Sequence, residues 1–175
     1  MEKILEGELS VKEIYDEAQR QSIEIAAAGY NLLFVYLQEK NKDKIKVVLL
    51  SGPSSSGKTT TSKKLALYLK TLGLKPHPLS LDDYFLERDD TPIGEDGKPD
   101  YEGLRAIDIK LFNKQLKKLF DGHEVITPTY DFLTGKKVFN KPLKLLENDI
   151  LIVEGLHALN EEISKEIPKT NKYKI

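Results

Sequence analysis

Two short runs of consecutive apolar residues organise the chain: Lys46-Val47-Val48-Leu49-Leu50, closed by Ser51-Gly52-Pro53, and Asp149-Ile150-Leu151-Ile152-Val153, closed by Glu154-Gly155. Runs this short, without alternation and bounded by turn residues, predict strands buried on both faces, as in a parallel sheet. From Thr59 to Leu72, Leu65, Ala66, Leu67 and Leu69 recur at helical spacing, and Gly73 supplies a stop. Lys75 to Leu81 reads as a further strand. Asp82 to Asp100 reads as a long loop, of a length that is either functional or disordered. Ile107 to Phe120 carries the stripe Ile107, Leu111, Leu116 and Leu119 and ends at Asp121-Gly122, predicting a second helix. Val125 to Phe132 and Lys137 to Phe139 flank Thr134-Gly135 as a hairpin. A short helical pattern follows Glu154-Gly155.

Upstream, Ser10 and Glu13 have the spacing of a capping box, so a helix begins near Ser10. Ile23 to Leu37 is apolar on more than one face and contains Gly29, which predicts a break or two helices, and Glu39 to Lys44 is a polar linker. The expected division is an N-terminal helical extension, residues 1–44, and a main domain, residues 45–175. Strands alternating with helices predict an α/β fold, a parallel sheet flanked by helices with a β-hairpin insertion.

Composition narrows the function classes. Hydrophobic residues make up 39% and charged residues 31% of 175, ordinary for a folded globular domain. With 27 basic and 28 acidic residues the net charge is -1, so no broad basic footprint for nucleic acid exists and any anion site is local. The chain has no cysteine, which excludes disulfides, thiolate metal ligands and a cysteine nucleophile. No stretch approaches the roughly 20 apolar residues that span a bilayer, so neither membrane insertion nor secretion is expected and a cytoplasmic location is.

Between the first strand and its helix lies Gly52-Pro53-Ser54-Ser55-Ser56-Gly57-Lys58-Thr59-Thr60, a Gly-x4-Gly-Lys-Thr loop. Glycines allow a tight backbone whose amides face inward, and the helix N-terminus behind them favours an anion. Lys58 would reach the β- and γ-phosphates of a nucleoside triphosphate, and Thr59 would offer its hydroxyl to Mg²⁺. The strand-loop-helix setting is the one a P-loop NTPase fold requires.

Carboxylates at the ends of the other strands suggest the kind of transfer. Asp82, after Ser80-Leu81, falls where open α/β sheets bind ligands and could accept a substrate hydroxyl proton; it is also a candidate metal ligand. An isolated Asp-Asp pair is equally a loop cap. Glu154 could hold Mg²⁺ from the neighbouring strand, or be an acid favoured by a helix dipole.

GPSSSGKTT, SLDDYF, PDYEGLRAID, TPTYDF and LIVEGLHAL, spread over Val47 to Leu159, resemble in order and spacing the uridine kinase and phosphoribulokinase family, most closely the bacterial uridine kinase-like nucleoside kinases. The resemblance implies transfer from ATP or GTP, with Mg²⁺, to the 5′-hydroxyl of a pyrimidine ribonucleoside. It implies that Asp82 is the catalytic acid, that Tyr101 and Glu102 contact the nucleoside and its ribose hydroxyls, and that Tyr130 and Phe132 flank the base. Glu154 matches the family's acid, with Leu156 lining the site. On hairpin spacing alone Tyr130 and Phe132 are equally packing residues.

The pattern is departed from in three places. The histidine with which uridine-cytidine kinases read the pyrimidine edge is replaced by Leu133-Thr134-Gly135-Lys136, and His77, His123 and His157 do not match it. The aromatic pair after the catalytic acid is Tyr84-Phe85 rather than Phe-Tyr, so no tyrosine hydroxyl role carries over. The family's lid arginines, each worth orders of magnitude in rate, have no counterpart before Ile175, which predicts a chain ending ahead of the lid. The expected partner is a small molecule; homo-oligomerisation or docking on further domains stays open. So do a phosphoribulokinase-like or pantothenate kinase-like enzyme, and a regulatory nucleotide-binding module without turnover.

Overall fold

The computed structural model describes residues 45–53 and 56–175; the N-terminal helices expected in 1–44, and Ser54 and Ser55, lie outside the described residues. Both apolar runs are strands, β1 (Val47–Leu50) and β5 (Asp149–Glu154). With β2 (Lys75–Ser80) and β6 (Lys172–Lys174) they form a parallel sheet in the order β2-β5-β1-β6. Val47, Leu49, Leu151 and Val153 face one core and Val48, Ile150 and Ile152 the other. Layers on both faces explain why these strands read as unbroken apolar runs.

Helix α1 (Lys58–Thr71) covers the second face with Leu65 and Leu69. Helix α2 (Ile109–Phe120) covers the first with Phe112, Leu116 and Leu119. It starts two residues later than its apolar stripe predicts. The Asp108 carboxylate accepts the Leu111 N–H at 3.0 Å and caps the helix, while Ile107 pairs in an antiparallel bridge with Phe85. The hairpin is present but longer than expected, β3 (Val125–Asp131) and β4 (Lys136–Leu143), and forms a sheet of its own.

The 82–100 segment is a loop, as expected, ordered by 3-10 turns at Leu81–Tyr84 and Arg88–Asp90 and by a bridge from Ile93 to Pro99. The short helical pattern after Glu154-Gly155 is met by turns and two 3-10 turns, Glu161–Ser164, which Asn160 caps by accepting the Glu162 N–H, and Lys169–Asn171. Strand β6 was not legible, because a short Lys-Tyr-Lys edge strand carries no apolar run; it pairs with β1 through the main chain, and only Tyr173 and the following Ile175 pack against the second core.

Candidate active site

The order β2-β5-β1 sets the ends of three strands side by side, with Glu154 in register with Leu50 on one flank and Ser80 on the other. The phosphate loop leaves β1, the acidic segment leaves β2, and Glu154 closes β5 between them. The crossover from β1 through α1 to β2 skips the slot that β5 fills, and at such a switch point the diverging loops leave a crevice.

Gly57 precedes α1 with φ 85°, a left-handed conformation that favours glycine, and no side chain caps the helix. The first turn contains no acidic residue, so the amide end of α1 is left for an anion. The Ser56 N–H donates to the Pro53 carbonyl at 3.3 Å, tightening the loop. Lys58 Nζ donates to the Pro53 carbonyl at 2.7 Å, so its ammonium lies over the loop rather than in solvent. The Thr59 hydroxyl is 3.4 Å from Glu154 Oε1, and Thr60 is exposed beside it.

A cavity of about 230 Å³ joins this loop to the segments beyond it: Lys58 and Asp82 on one side, Tyr101, Glu102, Phe132 and Leu156 on the other, with Phe85, Ile107 and His157 completing the wall. Asp82 lines this cavity and, although exposed at its surface, is partly withdrawn from water there. That desolvation pushes its carboxyl above the usual range; the Lys58 ammonium pulls it back, and Asp83 adds to the upward push. Glu154 is also raised, chiefly by burial; hydrogen bonds from Ser80 and Thr59 oppose this and the charge of Asp82 adds to it.

Sequence reasoning brought Lys58, Asp82, Tyr101, Glu102, Phe132 and Leu156 to one cavity, but Tyr130 needs a refinement. It is buried, at 8% exposure, and lines an adjoining chamber of about 370 Å³ that shares Phe85, Tyr101 and Phe132 with the first. Its ring meets Phe132 edge-on at 5.0 Å and Phe85 at 5.8 Å, so the three form one aromatic corner. Burial raises the Tyr130 hydroxyl pKa, opposed by the nearby Arg88 charge.

Phe85, Ile107, His157 and Arg88 were missed. The Tyr84-Phe85 dipeptide splits its duties: Tyr84 is fully buried and donates to Gln115 Oε1 at 2.7 Å, while Phe85 turns to the cavity. His157 Nε2 lies 2.7 Å from the Glu102 carbonyl oxygen and ties the Tyr101-Glu102 segment to the turn after β5. Arg88 reaches the hairpin tip. These links join residues distant in sequence through main-chain carbonyls, which leave no local signal.

Thr59 and Glu154 form an oxygen-only donor pair, and among the described residues no group of three His, Cys, Asp or Glu side chains gathers to hold a metal. That combination fits Mg²⁺, which takes one or two protein oxygens and completes its shell with water and substrate phosphates, better than a metal needing a full protein cage.

A Gly-x4-Gly-Lys-Thr loop between a buried parallel strand and a helix, with acidic residues closing the next two strands, defines a P-loop kinase fold. Residues 47–168 match the family described as "Phosphoribulokinase / Uridine kinase family". The chain belongs to that family. A uridine kinase of Ligilactobacillus salivarius is 31% identical over 69% of this chain and 55% of its own length. The Arabidopsis thaliana protein named inorganic pyrophosphatase TTM2 is 32% identical over 73% of this chain but only 17% of its own. The chain thus spans about half of the first relative and much less of the second. In fold it is similar to a possible uridine kinase from Bacillus stearothermophilus, with a TM-score of 0.66, 20% identity, and coverage of 85% of this chain and 78% of that one.

Proposed function

We propose that the protein transfers the γ-phosphate of ATP to a hydroxyl of a small molecule, and that the acceptor is the 5′-hydroxyl of a nucleoside of the uridine or cytidine type. The observation that carries this reading is that Lys58 and Asp82 line the same cavity as Tyr101, Glu102 and Phe132. A module that only bound nucleotide would have no use for a carboxylate facing an aromatic-walled chamber.

In this reading the amides at the start of α1 and the Lys58 ammonium hold the β- and γ-phosphates, which requires Lys58 to leave the Pro53 carbonyl. Thr59 and Glu154, with Asp82 as a further candidate ligand, would hold Mg²⁺, which when bound offsets phosphate charge. Asp82 accepts the proton of the attacking hydroxyl; its raised pKa brings it nearer the operating pH, where a base is more effective. Glu102 meets the ribose hydroxyls, Leu156 closes the floor, and Phe132 and Tyr101 offer flat faces to the base, with Tyr130 bracing Phe132. Residues 45–175 form the kinase domain in this proposal.

The test is transfer from γ-labelled ATP to a panel of uridine, cytidine, ribulose 5-phosphate and pantothenate, with inorganic pyrophosphate hydrolysis measured beside it. Labelled uridine or cytidine monophosphate that disappears in Asp82→Asn is expected. Label in another acceptor, or pyrophosphate hydrolysis alone, would overturn the nucleoside assignment.

A further inference from the structure

The adjoining chamber is walled by four aromatic rings, Phe85, Tyr101, Tyr130 and Phe132, and carries one guanidinium, that of Arg88. Arg88 is strapped to the hairpin tip. Its Nη2 donates to the Phe132 carbonyl at 2.5 Å, its Nη1 to the Leu133 carbonyl at 3.4 Å, and its main-chain N–H to the Gly135 carbonyl at 2.9 Å. Gly135 has φ +71°, and a Cβ there would lie 2.6 Å from Arg88 Cβ, so the turn closes on the arginine only with glycine.

Two carbonyls fix the plane of a group that has about five N–H donors, leaving the rest of the fork unspent. Among the described residues no carboxylate forms an ion pair with Arg88. A donor group held in orientation at the edge of an aromatic chamber is what recognition of a flat, oxygen-bearing molecule requires.

We propose that Arg88 selects the acceptor, donating its remaining N–H groups to an oxygen-bearing edge of the substrate, a ring carbonyl or a phosphoryl group, at the end away from the reacting hydroxyl. Asp82 lines the first chamber and Arg88 the second, the two share Phe85, Tyr101 and Phe132, and in this proposal one molecule spans them. The reader then comes from the loop after the catalytic acid, while the hairpin supplies aromatic faces and the carbonyls that aim it. The inference rests on the kinase reading of the site.

The experiment compares wild type with Arg88→Met, which keeps an apolar stem, and Arg88→Lys, which keeps the charge but not the fork. Acceptors are uridine and the phenyl C-riboside, which has the ribose and a flat ring but no ring oxygen, with ribulose 5-phosphate and ribulose as a second pair. Wild type is expected to prefer the oxygen-bearing member of whichever pair it phosphorylates by about 10² or more in kcat/KM. Arg88→Met should shrink that preference to about threefold, raise KM for that acceptor about 10- to 100-fold and leave KM for ATP unchanged, with Arg88→Lys intermediate. If Arg88→Met fails to fold, by its thermal melt, the partial loss in Arg88→Lys carries the test. Transfer to ribulose 5-phosphate and not to uridine would end the nucleoside reading but support the Arg88 proposal if the preference falls in the variants. Equal slowing of both members of a pair would overturn it, reducing Arg88 to a brace of the hairpin, as would no effect of either variant. Absence of any labelled acceptor would sink the kinase reading and this inference together.

Discussion

In the proposed reading the donor side is Lys58, Thr59 and Glu154, which stand at the ends of α1 and β5, and the sheet behind them, Val47 to Leu50 and Ile150 to Val153, is 0–2% exposed. On the acceptor side Tyr101, Glu102 and Phe132 stand on loops and a hairpin outside that sheet. They are linked to the rest by a few hydrogen bonds: three from Arg88 to the hairpin tip, one between His157 and Glu102, and one to Asp83, whose Oδ1 accepts the Tyr130 N–H at 3.1 Å. The donor geometry is held by a core that any substitution disturbs globally. The acceptor geometry is held by polar links of this kind together with the apolar base of the hairpin, where Val125 joins the core, and the links are replaceable without unfolding the sheet. Acceptor choice can therefore change while the phosphate site stays fixed.

Substitutions on the donor side should break the comparison most severely. Asp82→Asn is expected to lower kcat about 10³-fold or more while ATP still binds, and Lys58→Ala to lose both, as read by steady-state rates and nucleotide titration. Because withdrawal from water, with Asp83 adding to it, holds the Asp82 carboxyl above its ordinary range while it stays ionised, Asp82→Asn should also raise the melting temperature at neutral pH. Phe132→Ala comes next: losing one stacking face should raise acceptor KM about 5- to 100-fold, with KM for ATP unchanged. If ATP affinity fell in parallel, the two halves would not be separable.

Tyr84→Phe tests where the acceptor side joins the core. The Tyr84 hydroxyl donates to Gln115, whose Nε2 donates to the Ile126 carbonyl at 2.8 Å at the base of the hairpin. Leaving Gln115 Oε1 unpaired should cost about 1–3 kcal/mol in urea unfolding, with kcat little changed.

The smallest effect is on pH dependence. A base must be ionised, and the folded pKa of Asp82 lies above that of an ordinary aspartate, so activity should fall as pH drops through that raised value, at higher pH than for an unperturbed carboxylate. Asp83→Asn removes one upward push and should move this acid limb to lower pH. A shift the other way would mean that a different group controls it.

The same contrast governs how much the sequence reveals. The apolar runs of β1 and β5 and the glycine-lysine-threonine loop are dense local signals, because a strand buried on both faces must be apolar throughout and a phosphate cradle must use amides. Asp82 and Glu154 were singled out by their places, just after β2 and at the end of β5. Tyr130 was legible as an aromatic of the acceptor side but not as the inner member of the corner. Phe85 was obscured by the question of a tyrosine hydroxyl, when its ring is what lines the cavity. Arg88 and His157 act on carbonyls 44 and 55 residues away in sequence, and β6 is a three-residue strand placed by its main-chain pairing with β1, so none of the three is marked by periodicity or motif.

The most direct test of the central assignment is phosphorus NMR of a reaction containing ATP, Mg²⁺ and uridine or cytidine. A new phosphomonoester signal coupled to the two 5′ protons, formed by wild type and absent with Asp82→Asn, is the expected result. ATP turned over only to inorganic phosphate, or a nucleoside monophosphate formed equally well without the Asp82 carboxylate, would contradict it.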